Sequence, residues 1–120
     1  MSLIANTIVY VKEELENAEG GHDWFHIERV WKLAKTIAEK EKANLMVVEL
    51  AALLHDIADS KFNNGDEEIG PRKALKFLNT QDISEADKTH VIQIIENISF
   101  KGGKIQSKID TIEFKVCQDA

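Results

Sequence analysis

Met46-Val47-Val48-Glu49-Leu50-Ala51-Ala52-Leu53-Leu54-His55-Asp56-Ile57-Ala58 is apolar almost throughout. It is shorter than the roughly 20 residues a bilayer span needs, yet too densely apolar to keep a face in water. Other elements must therefore surround it. The segment reads as the central helix of an all-α bundle, and Asn44 is placed to cap its N-terminus.

The flanking sequence supplies the surrounding helices. Ile4, Ile8, Val11 and Leu15 form one stripe of a first helix over residues 3–19, with Gly20 as its C-terminal stop. Gly21 and His22 make a turn, and Asp23 caps a second helix running to about Ala43 with Ile27, Val30, Ala34 and Ile37 on its inner face. Beyond the central helix, Lys61 to Gly65 is a polar loop. A shorter helix then reaches Asn79, with Pro71 in its first turn, where a missing N–H costs little. Ser84 and Asp87 resemble a capping box opening a fifth helix through Val91, Ile92, Ile94 and Ile95. In 107–120 periodicity does not arbitrate. Ile112, Phe114 and Val116 alternate as in a strand, while Val116 to Ala120 equally begins a helix. The expectation is a single domain over residues 1–120, a bundle of about five to six helices.

Bulk composition narrows the functional classes. With 120 residues and 43% hydrophobic content, there is room for one core. A net charge of -6 provides no general field for gripping extended nucleic acid, so any phosphate must be met locally. One cysteine excludes an internal disulfide framework, and neither a signal peptide nor a membrane span is legible. A cytoplasmic setting follows as the expectation, with a small-molecule partner, no membrane, and room for a homo-oligomer.

The histidines carry the chemistry. His26 shares a helical face with Val30, Leu33 and Ile37, and His55 with Ala51, Leu54 and Ala58, so both imidazoles are expected to point inward. A single inward histidine is more often a hydrogen-bonded core residue than a ligand. Two of them beside Asp56 shift the balance, because a carboxylate in so apolar a helix needs a cation or several donors to offset its desolvation. Imidazole nitrogen with carboxylate oxygen suits a divalent cation with positions left for water.

The string Gly21-His22-Asp23-Trp24-Phe25-His26-Ile27-Glu28-Arg29-Val30, followed by Leu50-Ala51-Ala52-Leu53-Leu54-His55-Asp56-Ile57, resembles the signature of bacterial HD-domain hydrolases of the nucleotide pyrophosphohydrolase kind. Glu96-Asn97-Ile98-Ser99-Phe100-Lys101-Gly102 and the closing Gln118-Asp119-Ala120 resemble that group too. The resemblance implies a helical HD domain with one divalent metal ion, Mn2+ or Mg2+ before other transition metals, acting on a phosphate ester or anhydride, with a nucleotide as the expected substrate. It assigns His26 as first ligand and His55 with Asp56 as the doublet. In that group the closing stretch continues Gln-Asp-Ala-Asp-Arg-Leu-Asp-Ala, and the aspartate after the alanine is a ligand. The sequence ends at Ala120, so a shortened domain lacking the usual C-terminal helices is expected. Asp119, two positions before that ligand, would face nearly the opposite side of a helix.

Asp59, three residues beyond Asp56, is placed to act on a water beside the metal, against the plainer reading of a solvated residue near a helix end. Arg29, Lys61 and Lys101 are candidate phosphate contacts, each also readable as a surface charge. His22 is a candidate to orient a ligand or water, or to cap its turn. His90 reads as structural, and Trp24, Phe25 and Trp31 as packing residues rather than base-stacking ones. Two rivals stand beside the hydrolase. One is a catalytically weak HD domain that binds nucleotide or a protein partner. The other is a dinuclear-iron oxygenase, for which a further His-Asp doublet is wanting.

Overall fold

The structure, a computed structural model, describes residues 2–16, 24–55, 57, 69–99 and 111–119. The described residues form six helices in the order α1 (Leu3–Glu16), α2 (Trp24–Glu41), α3 (Leu45–Leu54), α4 (Ile69–Leu78), α5 (Glu85–Ser99) and α6 (Ile112–Asp119), with no strand among them. The all-α expectation holds.

The apolar stretch is the centre of the bundle. Val47, Val48, Leu50, Ala51, Leu53 and Leu54 of α3 are wholly buried, each large side chain contributing about 2 kcal/mol of transfer free energy. Helices α1, α2, α5 and α6 pack around it. The one acid in α3, Glu49, is 8% exposed and is not left bare: Trp31 Nε1–H donates to its Oε1 at 3.1 Å and the Lys35 ammonium lies 4.0 Å away. Those donors offset its desolvation and tie α2 to α3.

Local chemistry sets the helix ends. Asn44 caps α3 as expected, its Oδ1 accepting from Val47 N–H at 3.3 Å. The Ser84 half of the expected capping box forms, with Asp87 N–H donating to Ser84 Oγ at 3.2 Å. Helix α2 stops where Lys42 turns left-handed at φ 57, and Ala43 N–H reaches back to Ala38 C=O at 3.0 Å. That is a Schellman-type end built on a lysine instead of a glycine. Helix α3 ends at Leu54 with His55 as its C-cap, earlier than the apolar run suggested.

One open segment is settled and two sequence expectations are corrected. The ambiguous closing segment is helical from Ile112 to Asp119: Thr111 Oγ1 accepts from Phe114 N–H at 3.2 Å, and Val116 and Cys117 are buried while Lys115 is exposed. Leu33, expected on the inner face of α2, is 48% exposed, because the buried line of that helix runs through Ile27, Ala34 and Ala38. Phe25, expected to pack, is 71% exposed. Trp24 and Trp31 do pack, with ring centroids 6.4 Å apart and the Lys12 ammonium 4.9 Å from the Trp24 ring.

Candidate active site

Helix α2 presents His26 and the C-cap of α3 presents His55 to one cavity of about 400 Å³. Its size is within the range of small-molecule sites. The two histidines singled out by the sequence are therefore brought together from separate helices. His55 is the better defined. Its Nδ1 lies 2.6 Å from the carbonyl oxygen of Ala52, one turn back, and a carbonyl only accepts, so Nδ1 carries the proton. In the neutral ring this leaves the lone pair on Nε2, the tautomer that metal-ligating histidines adopt when a backbone carbonyl orients them.

A third ligand has to come from elsewhere. Among the described residues no group of three His, Cys, Asp or Glu side chains is clustered as for a metal. Asp56, the expected partner in the doublet, lies outside the described residues, as do Asp59, Lys61, Lys101 and His22. The donor set fits a divalent ion as far as it is described: two imidazoles on one cavity, one with its tautomer set by the backbone. Arg29 is exposed on α2 and is not brought to the cavity lining. Asp119 ends α6, and its side chain is outside the described residues.

Several lining residues were not read from the sequence. Asn97 and Ile98 come from the end of α5, and Phe114, Cys117 and Gln118 from α6. Asn97 had a signal, since a carboxamide among Ile94, Ile95 and Ile98 invites the question asked of Asp56 in its apolar helix. Gln118 stood in the closing stretch that carries the resemblance, but the state of its segment was open, so its place on the cavity was not legible. Cys117 lines the cavity as a buried thiol. Burial, with the Glu113 charge second, pushes its thiol pKa up to about 12, and its Sγ lies 3.7 Å from the Val48 carbonyl oxygen. The neutral thiol is a poor nucleophile.

His90 holds the cavity wall rather than joining it. Its Nε2 lies 2.9 Å from Thr111 Oγ1 and 3.8 Å from Glu113 Oε1, across the seam between α5 and α6. The other oxygen of Glu113 accepts from Asn44 N–H at 2.8 Å. One carboxylate thus ties α6 to the cap of α3 and faces α5, fixing the helix that supplies Phe114, Cys117 and Gln118.

Residues 24–113 match the HD domain family, and the chain belongs to it. Among its relatives is the Bacillus subtilis protein YpgQ, itself uncharacterized, 38% identical over 112 residues that cover 92% of this chain and 54% of the relative. A solved HD-superfamily hydrolase from Bacillus thuringiensis superposes with a TM-score of 0.77 at 40% identity, over 97% of this chain and 54% of that one. The structure of Bacillus subtilis YpgQ in complex with ADP superposes with a TM-score of 0.74 at 35% identity, with the same coverage. The chain spans about half the length of these relatives. No helix among the described residues is long and apolar enough to cross a membrane.

Proposed function

We propose that this domain is a metal-dependent phosphohydrolase acting on a phosphate ester or anhydride of a nucleotide. The observation that carries the reading is the convergence of His26 and His55 on one cavity, with the His55 ring set by Ala52. The solved hydrolase relative supports the reaction class, and the ADP held by YpgQ supports a nucleotide.

The imidazoles of His26 and His55 and the carboxylate of Asp56 hold the divalent ion. When bound, that ion supplies Lewis acidity, lowering the pKa of water and drawing charge from a phosphoryl oxygen. Ala52 keeps the His55 ring in the ligating tautomer through the chemistry. Asp59 takes the proton of the attacking water as its oxygen bonds to phosphorus and the bond from phosphorus to the leaving oxygen breaks. Lys61 and Lys101 are the cations proposed to meet phosphate oxygens.

The test is a panel of nucleotides with phosphate and pyrophosphate readouts in Mn2+ and Mg2+, run alongside ion titration by calorimetry. Metal-dependent release that disappears in His26→Ala and Asp56→Ala is the expected result. Ion binding undiminished by both substitutions would overturn the site, and nucleotide binding without release would make the domain a binding module.

A further inference from the structure

The cavity has a second chemical character, on the wall built by α5 and α6. Beside the two histidines, the described lining consists of apolar side chains (Val30, Ile98 and Phe114 the largest), the neutral Cys117 thiol and two carboxamides, Asn97 and Gln118. No lysine or arginine is among the described lining residues. Such a surface suits an uncharged, partly apolar group better than a phosphate, whose charge calls for cations or backbone donors.

Asn97 gives that wall a direction. Its Nδ2 donates to the carbonyl of Gln93, one turn back, at 2.8 Å. Because a carbonyl only accepts, the amide nitrogen must face Gln93, and the orientation of the carboxamide follows from chemistry. Oδ1 then occupies the other branch of the group. Among the described residues no donor reaches it, and none of their buried side-chain polar atoms is without a partner, so this oxygen is not sealed in the interior. Asn97 is half-buried at the cavity, where a hydrogen bond is less diluted by water than at the surface.

We infer that Asn97 is a specificity residue: its Oδ1 accepts a hydrogen bond from a hydroxyl or amino group on the uncharged part of the substrate, which lies against Val30, Ile98 and Phe114. This inference rests on the nucleotide reading above and adds which face of the cavity takes the nucleoside and what it reads there. The base amino group and the sugar hydroxyls share the donor chemistry, and the arms of the experiment separate them.

The experiment is calorimetric titration, in Mn2+, of the protein with ADP, 2′-deoxy-ADP, 3′-deoxy-ADP, purine riboside diphosphate and inorganic pyrophosphate. One of the three donor-lacking analogues should bind about tenfold more weakly than ADP. That gap should close in Asn97→Leu, which keeps the shape and loses the acceptor. The side-chain amide NMR signals of Asn97 in the unsubstituted protein, which need no variant to fold, should shift with ADP and stay in place with pyrophosphate. Equal affinity for all three analogues and ADP overturns the inference, as does a gap that persists in Asn97→Leu, while both results leave the phosphohydrolase reading intact. Failure of ADP and pyrophosphate alike to bind overturns that reading, and this one with it.

Discussion

The Nδ1 of His55 lies 2.6 Å from the carbonyl oxygen of Ala52, and this contact fixes which ring nitrogen can bind a cation. Ala52 makes it through its backbone, in the last turn of α3, the most buried of the described helices, so the ring is oriented by a closely packed segment. On the proposed metal reading, His55→Ala should lower Mn2+ affinity by about a hundredfold or more, beyond the 10–100-fold typical of losing a group that only orients a ligand. His55→Gln keeps a polar side chain at the helix end and should lose nearly as much. Calorimetric titration of both variants, with circular dichroism to confirm the fold, checks this. Affinity within threefold of the original in both would remove His55 from the site.

Lys42 occupies the left-handed region at φ 57, where its Cβ crowds the following carbonyl. Glycine is free of that clash. Lys42→Gly should therefore stabilise the domain by about 0.5–1 kcal/mol after allowing for the entropy glycine loses on folding. Urea unfolding followed by circular dichroism reads the change. A loss of stability would show that the lysine side chain contributes more than its backbone costs.

Cys117 makes the domain sensitive to alkali. Its folded pKa, about 12, is raised above the ordinary 9.0 by burial first and by Glu113 second. A raised acid pKa means that the folded state holds the proton more tightly than the unfolded chain does. The contribution is complete below about 9 and is lost as pH rises through about 12. Chemical denaturation across that window should show a fall that is shallower in Cys117→Ala, and alkylation of the thiol at neutral pH should be slow until the protein unfolds. Fast labelling of the folded protein would contradict the buried, protonated state.

Glu113 should matter to the cavity without touching it. Glu113→Ala leaves Asn44 N–H without its 2.8 Å acceptor and removes the anion facing His90. The expected cost is about 1 kcal/mol, because the Asn44 contact is exposed and water can partly replace it. Hydrogen exchange should quicken in α6 and at the start of α3 more than in α4. Uniform exchange across the helices would mean that the carboxylate does not clasp α6.

The sequence by itself determined that this is a helical bundle, which segment lies at its centre, and which two histidines face a common interior. Those features follow from local periodicity and from the density of apolar residues between Met46 and Ala58, which leave no other way to hide Val47 through Leu54 from water. Asn44 and Ser84 were legible as caps because capping is chemistry between near neighbours. Only the tertiary structure decided that residues 112–119 are helical, since Ile112, Phe114 and Val116 fit either period. What settles it is the Thr111 cap together with Glu113 reaching the Asn44 N–H and facing His90, groups remote in sequence. The same helix brings Phe114, Cys117 and Gln118 to His26 and His55, and the end of α5 brings Asn97. A cavity wall is a property of how helices cross, and no single helix carries it in its own pattern. Leu33 and Phe25 make the converse point: their types and spacing suit a core, but both are exposed, because Ile27, Ala34 and Ala38 set the packed side of α2.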